Sequence, residues 1–162
     1  MIKVAVFGAK GRMGAAVCQA VEEAEDTELV AAIDSGDNRS AVLGADVIVD
    51  FTTPDAVMDN LSWAISHDIN TVVGTTGFDD ERYQALRDQL AAHPNTGCLV
   101  APNFSIGAVL MMHFAEQAAR FYESVEIVEL HHPNKVDAPS GTARTTATKI
   151  AAAREKAGLG EV

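Results

Sequence analysis

The chain has 162 residues, 48% of them apolar and 22% charged, the balance of a soluble protein with one full domain and little more. Twelve Lys and Arg against 23 Asp and Glu leave a formal charge of −11, and such a surface repels phosphate backbones, which argues against nucleic acid as a partner. No apolar run approaches the roughly 18 residues of a membrane span, and Met1-Ile-Lys-Val leads straight into a strand-like run without a basic leader. Two cysteines, Cys18 and Cys98, are too few for a disulfide framework. The expectation is a soluble, cytoplasmic, acidic protein.

Val4–Phe7 predicts a first strand that stops at Gly8, and Arg12–Ala24 a helix with Val17, Ala20, Val21 and Ala24 on one face. Leu29–Ile33 and Val47–Phe51 predict the second and third strands. Pro54 suits the first turn of the next helix, whose stripe is Val57, Leu61, Ala64 and Ile65. Thr71–Val73 is a fourth strand, Glu81–Ala92 a charged helix, and Gly97–Ala101 a fifth strand. Strands alternating with helices argue for βαβ units, and near-continuous apolar strands for a sheet covered on both faces. Residues 1–105 therefore read as α/β, a Rossmann-like doubly wound parallel sheet.

Beyond Asn103 the pattern changes. Ile106, Val109, Leu110, Phe114, Ala118 and Phe121 predict the apolar face of a long helix, followed by a strand at Val125–Leu130 and a polar loop from His131 to Pro139. A last helix runs from near Ser140 to about Ala157, and Gly158–Gly160 ends it. One strand and one or two helices do not make an independent layer, for which about three strands are needed. Residues 106–162 thus read as an incomplete α+β domain, which either borrows strands from a partner chain or belongs to a longer protein.

The first strand ends in Gly8-Ala-Lys-Gly11-Arg-Met-Gly14, a glycine turn opening a helix. Such a turn brings backbone close to a pyrophosphate and aims a helix N-terminus at it. An acid at the end of the second strand completes the pattern, and Asp34 stands there to accept from the adenosine ribose. Asp34 repels a 2′-phosphate while Lys10 and Arg12 attract one. With no Arg directly after Asp34, NADH is favoured over NADPH and dual use stays open. Phe51-Thr52, Gly74-Thr-Thr-Gly77 and Ala101-Pro-Asn-Phe104 are further strand ends at the ligand-binding edge.

A second constellation follows. His131-His-Pro-Asn-Lys135-Val-Asp-Ala-Pro139 precedes Ser140-Gly-Thr142, where Ser140 suits an N-cap and the N–H groups of Gly141 and Thr142 form an anion site. Residues 131–156 hold five basic side chains against two acidic ones on an otherwise acidic chain, which suits a small anionic substrate. Of those cations, Lys149, Arg154 and Lys156 read as a solvated helix face. Adjacent histidines on a strand end point opposite ways, so no metal site is expected, and a histidine beside a lysine fits general-acid chemistry. His113 reads as a hydrogen-bonded core residue, and His67 and His93 as loop or helix-end residues. Cys98 lacks a neighbouring His to activate it.

Val6–Gly14, Val49–Thr52, Val73–Phe78, Ala101–Ser105 and above all Glu129–Ala143 resemble the bacterial dihydrodipicolinate reductases of lysine and diaminopimelate biosynthesis. The resemblance spans essentially the whole chain. It implies that NADH or NADPH delivers a hydride to C4 of the dihydropyridine formed from 4-hydroxy-tetrahydrodipicolinate, with loss of water, to give tetrahydrodipicolinate. It implies His131 as proton donor to the reduced ring, and Lys135 as a second acid that also pairs with a substrate carboxylate. His132, Ser140, Gly141 and Thr142 would hold the carboxylates of this small dicarboxylate. Gly8, Ala9, Lys10, Gly11, Arg12, Met13, Asp34, Gly74, Thr75, Thr76, Ala101, Pro102, Asn103 and Phe104 would line the cofactor, beside Phe51 and Thr52. The family pattern continues past the last helix with strands that complete the second sheet and build a homotetramer, so a chain longer than this one is expected. The alternatives are a non-catalytic NAD(P)H-binding sensor or regulatory module, which has no use for an acid beside an anion site, and a phosphorylating aldehyde dehydrogenase, which needs a positioned Cys.

Overall fold

The five apolar runs of the first hundred residues form one sheet. In the computed structural model, which describes residues 1–101, 103–131 and 138–160, the chain divides into two units, Met1–Ala101 and Pro102–Val162. The first is built on β1 (Ile2–Phe7), β2 (Thr27–Ile33), β3 (Val47–Asp50), β4 (Asn70–Val73) and β5 (Cys98–Val100). All neighbours are parallel, in the order β2-β1-β3-β4-β5. The chain steps outward from β1 to β2 and then returns to the other side of β1, so strand order reverses between β1 and β3. Phe7 pairs with Ile33 and Asp50, Asp50 with Val73, and Val73 with Val100, so the carboxyl ends finish level. A crevice at that reversal is where open α/β sheets take ligands.

Helices α1 (Arg12–Glu23), α2 (Val57–Ser66) and α3 (Asp80–Ala92) connect the strands. β1 is buried without interruption from Val4 to Phe7, as a central strand requires. The expected cover fails at the edges, where Glu28, Val30 and Ala32 of β2 are exposed and Leu99 of β5 is 61% exposed. In α1 the inward positions are Gly14, Val17, Cys18 and Val21, while Ala20 and Ala24 face out. Pro54 lies ahead of α2 and not in its first turn, because Thr53 carbonyl accepts from Ala56 and Val57 N–H (3.0 Å each) and makes a separate turn. His67 and His93 are the C-caps of α2 and α3.

One polar network is built into this apolar framework. Asp50, at the end of β3, is 1% exposed. Its Oδ1 accepts from Thr52 N–H (3.0 Å), Thr52 Oγ1 (2.7 Å) and Thr75 Oγ1 (2.7 Å), and its Oδ2 from Asn60 Nδ2 (2.9 Å). A buried carboxylate is tolerated only when such donors complete it. Asp50 thereby joins the end of β3, α2 and the segment after β4.

The second unit contains α4 (Ile106–Ala118), continued by one 3₁₀ turn at Ala119–Phe121, and α5 (Gly141–Lys156). The face of α4 expected to be buried is exposed, with Phe114 at 59% and Phe121 at 73%. The opposite, small-residue face is inward: Met112 and Ala119 are buried and Ala108 and Ala115 half-buried. His113 consequently lies exposed, bonded to Gln117 Nε2 (2.7 Å), and is not a core residue. Val125–Leu130 is not a strand here, since every paired strand of the described residues belongs to the first unit's sheet and a lone segment has no ladder to join.

Of the cations read as a solvated face, Lys149 stays partly exposed in an ion pair, whereas Arg154 is buried. Lys149 pairs with Glu116 of α4 (2.9 Å), which holds the Glu116 carboxyl below its ordinary range. Arg154 is only 5% exposed, and its guanidinium donates to the carbonyls of Ala119 (3.4 Å), Tyr122 (2.6 Å) and Glu123 (2.9 Å). It thus ties the end of α4 and the two residues after its 3₁₀ turn to α5. No helix among the described residues is long and apolar enough to cross a membrane.

Arg154→Ala removes these three hydrogen bonds and costs about 2–4 kcal/mol in urea unfolding of the full chain, with Arg154→Lys recovering less than half. Asp50→Ala removes the acceptor of four hydrogen bonds at the end of β3 and costs about 3 kcal/mol in the same assay, Asp50→Asn about half that.

Candidate functional site

The glycine turn folds as its spacing demands. Gly8 has φ +77°, and a Cβ there would stand 2.5 Å from the Phe51 carbonyl oxygen. A Cβ on Gly14 would collide with the Gly8 carbonyl, so only glycine lets α1 lie this close to the end of β1. Gly8 and Ala9 N–H both donate to Ile33 carbonyl (3.0 and 3.2 Å), and Gly11 N–H closes onto Gly8 carbonyl (3.0 Å). The turn is tied to β2 before any ligand arrives. Gly11 is the N-cap of α1, no side chain caps it, and the first turn carries no acid. The N–H groups at Arg12 and Met13 therefore have no intrahelical acceptor and point a partial positive charge outward.

Asp34 sits beside this turn. Its Oδ2 accepts from Lys10 N–H (2.9 Å), its Oδ1 from Ser35 N–H (2.8 Å), and its own N–H is held by Asp37 Oδ2 (2.8 Å). The Lys10 N–H, then the Ser35 N–H, hold the Asp34 carboxyl below the usual aspartate range, so it is charged at neutral pH. A carboxylate has about four acceptor positions, and those that remain suit ribose hydroxyls.

A cleft of about 590 Å³ lies at the reversal of strand order, lined by Gly8, Gly11, Asp34, Phe51 and Thr52 among the expected residues. That size and donor set fit a dinucleotide's adenosine and pyrophosphate. Arg39 also lines the cleft, held by Asp59 (2.6 Å). Sequence reading missed it by looking for a cation only directly after Asp34, whereas the turn through Gly36 (φ +89°) precedes a short 3₁₀ segment, Arg39–Val42, that brings it back. Asn60 and Asp50 were missed as well; an Asp two residues before Thr52 was the available signal.

The other expected cofactor residues are more dispersed. Lys10, Arg12 and Met13 are exposed on the turn. Gly74 makes room for the Phe51 ring, Thr75 is buried with its hydroxyl on Asp50, and Thr76 is exposed. Ala101 N–H donates to Val73 carbonyl (2.9 Å). Asn103 and Phe104 belong to the second unit, where Asn103 Nδ2 donates to Thr142 Oγ1 (3.0 Å). Pro102 lies outside the described residues. Cys98 is in β5, and burial pushes its thiol pKa up, the opposite of an activated nucleophile.

In the second unit Ser140 caps α5, its Oγ accepting from Ala143 N–H (3.1 Å). Gly141 is exposed and Thr142 half-buried, so the first turn of α5 presents N–H groups without intrahelical acceptors. Glu129 reaches this turn: both carboxylate oxygens accept from Ser140 N–H (3.0 and 3.1 Å), and Oε2 lies 3.2 Å from His131 Nε2. Hydrogen bonding with Ser140, then with His131, keeps the Glu129 carboxyl below its ordinary range. His132 and Lys135 lie outside the described residues.

The chain matches two family models in order, "Dihydrodipicolinate reductase, N-terminus" over residues 2–104 and "Dihydrodipicolinate reductase, C-terminus" over residues 107–161. It is 92% identical to the 4-hydroxy-tetrahydrodipicolinate reductase of Cutibacterium acnes over 162 residues, all of this chain and 66% of that protein. It is 67% identical to the enzyme of the same name from Thermobifida fusca, covering 99% of this chain and 65% of the relative. The chain thus spans just under two thirds of the length of these relatives. Among solved structures, a dipicolinate-bound dihydrodipicolinate reductase from Paenisporosarcina sp. TG-14 aligns with TM-score 0.79 and 39% identity, over 95% of this chain and 67% of that one. A myo-inositol 2-dehydrogenase from Lactobacillus plantarum aligns at TM-score 0.57 and 13% identity, over 72% and 41% of the two chains, a likeness of fold alone. With both halves of one family matched in sequence order around the glycine turn and the capped α5, the chain belongs to the dihydrodipicolinate reductase family.

Proposed function

We propose that this chain carries the dinucleotide cleft and the substrate-binding turn of an NAD(P)H-dependent 4-hydroxy-tetrahydrodipicolinate reductase acting in lysine and diaminopimelate biosynthesis. The observation that carries the reading is the cleft at the strand reversal, where the glycine turn, the Asp34 carboxylate and the open first turn of α1 meet. The relative solved with dipicolinate supports a planar dicarboxylate as the substrate class.

A reduced nicotinamide, when bound, supplies the hydride. The chain's own residues do the rest. Arg12 and Met13 N–H hold the pyrophosphate, and Asp34 accepts from the ribose hydroxyls, which favours NADH, since a 2′-phosphate would face that carboxylate. The first turn of α5, with Ser140, Gly141 and Thr142, receives a substrate carboxylate, and His132 and Lys135 complete its binding. His131 gives a proton to the reduced ring, and Lys135 acts as a second acid. We further propose that the complete protein is cytoplasmic and works as a homotetramer.

Asp34→Ala removes charged hydrogen bonds to the ribose, and the NADH dissociation constant should rise about 10-fold, read by nucleotide fluorescence. Pyridine-2,6-dicarboxylate, a planar analogue of the substrate, should tighten NADH binding by the full chain in the same titration. Lys135→Ala should abolish that response and lower turnover by roughly 100-fold or more, with NADH affinity within twofold of the parent. Unchanged turnover in this variant excludes the assigned acid.

A further inference from the structure

Glu129 lies outside every role assigned above, yet its carboxylate bonds at the N-terminus of α5. Its carboxylate takes two contacts from one backbone donor, Ser140 N–H at 3.0 and 3.1 Å, and approaches the His131 ring at 3.2 Å. Ser140 is eleven residues away along the chain, whereas His131 is two. The Glu129 side chain is 25% exposed and the His131 side chain 39% exposed, so the ring is the more accessible of the two. One side chain therefore bridges the residue before the His132–Pro139 segment and the residue after it.

We propose that Glu129 is a positioning residue that fixes the His131 ring and the first turn of α5 as one preset unit. The inference rests on the reading of His131 as proton donor and of α5 as a carboxylate site. Because Glu129 Oε2 accepts from Nε2–H, the ring keeps its Nε2 proton and turns Nδ1 toward the reacting ligand. In the transfer, the Nδ1–H bond of the imidazolium breaks, the proton passes to the substrate carbon, and the bonding pair returns to Nδ1. The neutral ring that remains is the Nε2–H tautomer that Glu129 selects. The same carboxylate holds Ser140 N–H and thereby sets the angle at which Gly141 and Thr142 N–H meet a substrate carboxylate.

The test compares Glu129→Ala and Glu129→Gln in the full chain by three readouts. These are turnover, affinity for pyridine-2,6-dicarboxylate, and the ¹⁵N resonances of the His131 ring. Glu129→Ala should lower turnover roughly 10- to 100-fold and weaken the dicarboxylate at least fivefold, with NADH affinity unchanged. Glu129→Gln keeps an acceptor for Ser140, so it should keep dicarboxylate affinity within threefold while His131 changes from a single Nε2–H tautomer to a mixture. A purely structural glutamate would move stability without moving the tautomer. Wild-type turnover with an unaltered His131 spectrum in Glu129→Gln overturns the proposal, also where Glu129→Ala fails to fold. His131→Ala, measured alongside, separates the two readings: undiminished turnover there removes His131 as the acid, while the tautomer shift in Glu129→Gln still decides whether Glu129 orients the ring.

Discussion

The carboxyl edge of the sheet depends on one buried anion. A carboxylate taken out of water is unfavourable by several kcal/mol unless hydrogen bonds replace its hydration, and Asp50 recovers them from Thr52, Asn60 and Thr75. Those three donors come from the end of β3, from α2 and from the segment after β4, so none of the three can move alone without leaving a polar group unmet. The consequence reaches the cleft directly. Phe51, next in sequence, carries its carbonyl against Gly8 and its ring into the space beside Gly74. The glycines of this edge serve packing first, and the ligand surface is what that packing leaves open.

The two units solve the same problem with different means. In the first, apolar side chains from β1, β3, β4, α2 and α3 form two buried clusters, and the polar network is an inclusion within them. In the second, the described buried apolar residues are few: Met112, Ala119 and Ile150. Small side chains let α4 and α5 approach closely, while polar side chains define their relation, Arg154 on three carbonyls and Lys149 on Glu116, and Glu129 holds the start of α5 through Ser140. Directional bonds specify geometry where there is little apolar area to do so.

The architecture of residues 1–101 was legible because its determinants are local. Runs such as Val4–Phe7 have one stable environment, and the glycine turn has one compatible backbone. Strand ends moved by one or two residues, as at Thr27 for β2 and Asn70 for β4, where polar residues join the ladder and their side chains bond to neighbouring backbone at Val21, Asp46 and Gly97. The apolar stripe of α4 misled for a complementary reason. Periodicity reports that a face is apolar, not what covers it, and the side that meets α5 is the one narrow enough to allow contact. Val125–Leu130 failed likewise, since strand character needs a second strand.

From sequence alone came the βαβ alternation, the turn at Gly8–Gly14, the acid Asp34 and the N-cap Ser140. Each of these is a property of a short stretch of chain, written in side-chain size, φ preference or capping chemistry. Arg39 beside Asp34, Asp50 beneath Thr52 and Thr75, Arg154 on the end of α4, and Glu129 between His131 and Ser140 were decided only by tertiary structure. In each case a charged group meets partners on another element or across a loop. A charge is read in sequence as solvated by default, and only the folded chain shows which charges have exchanged water for the protein's own donors and acceptors.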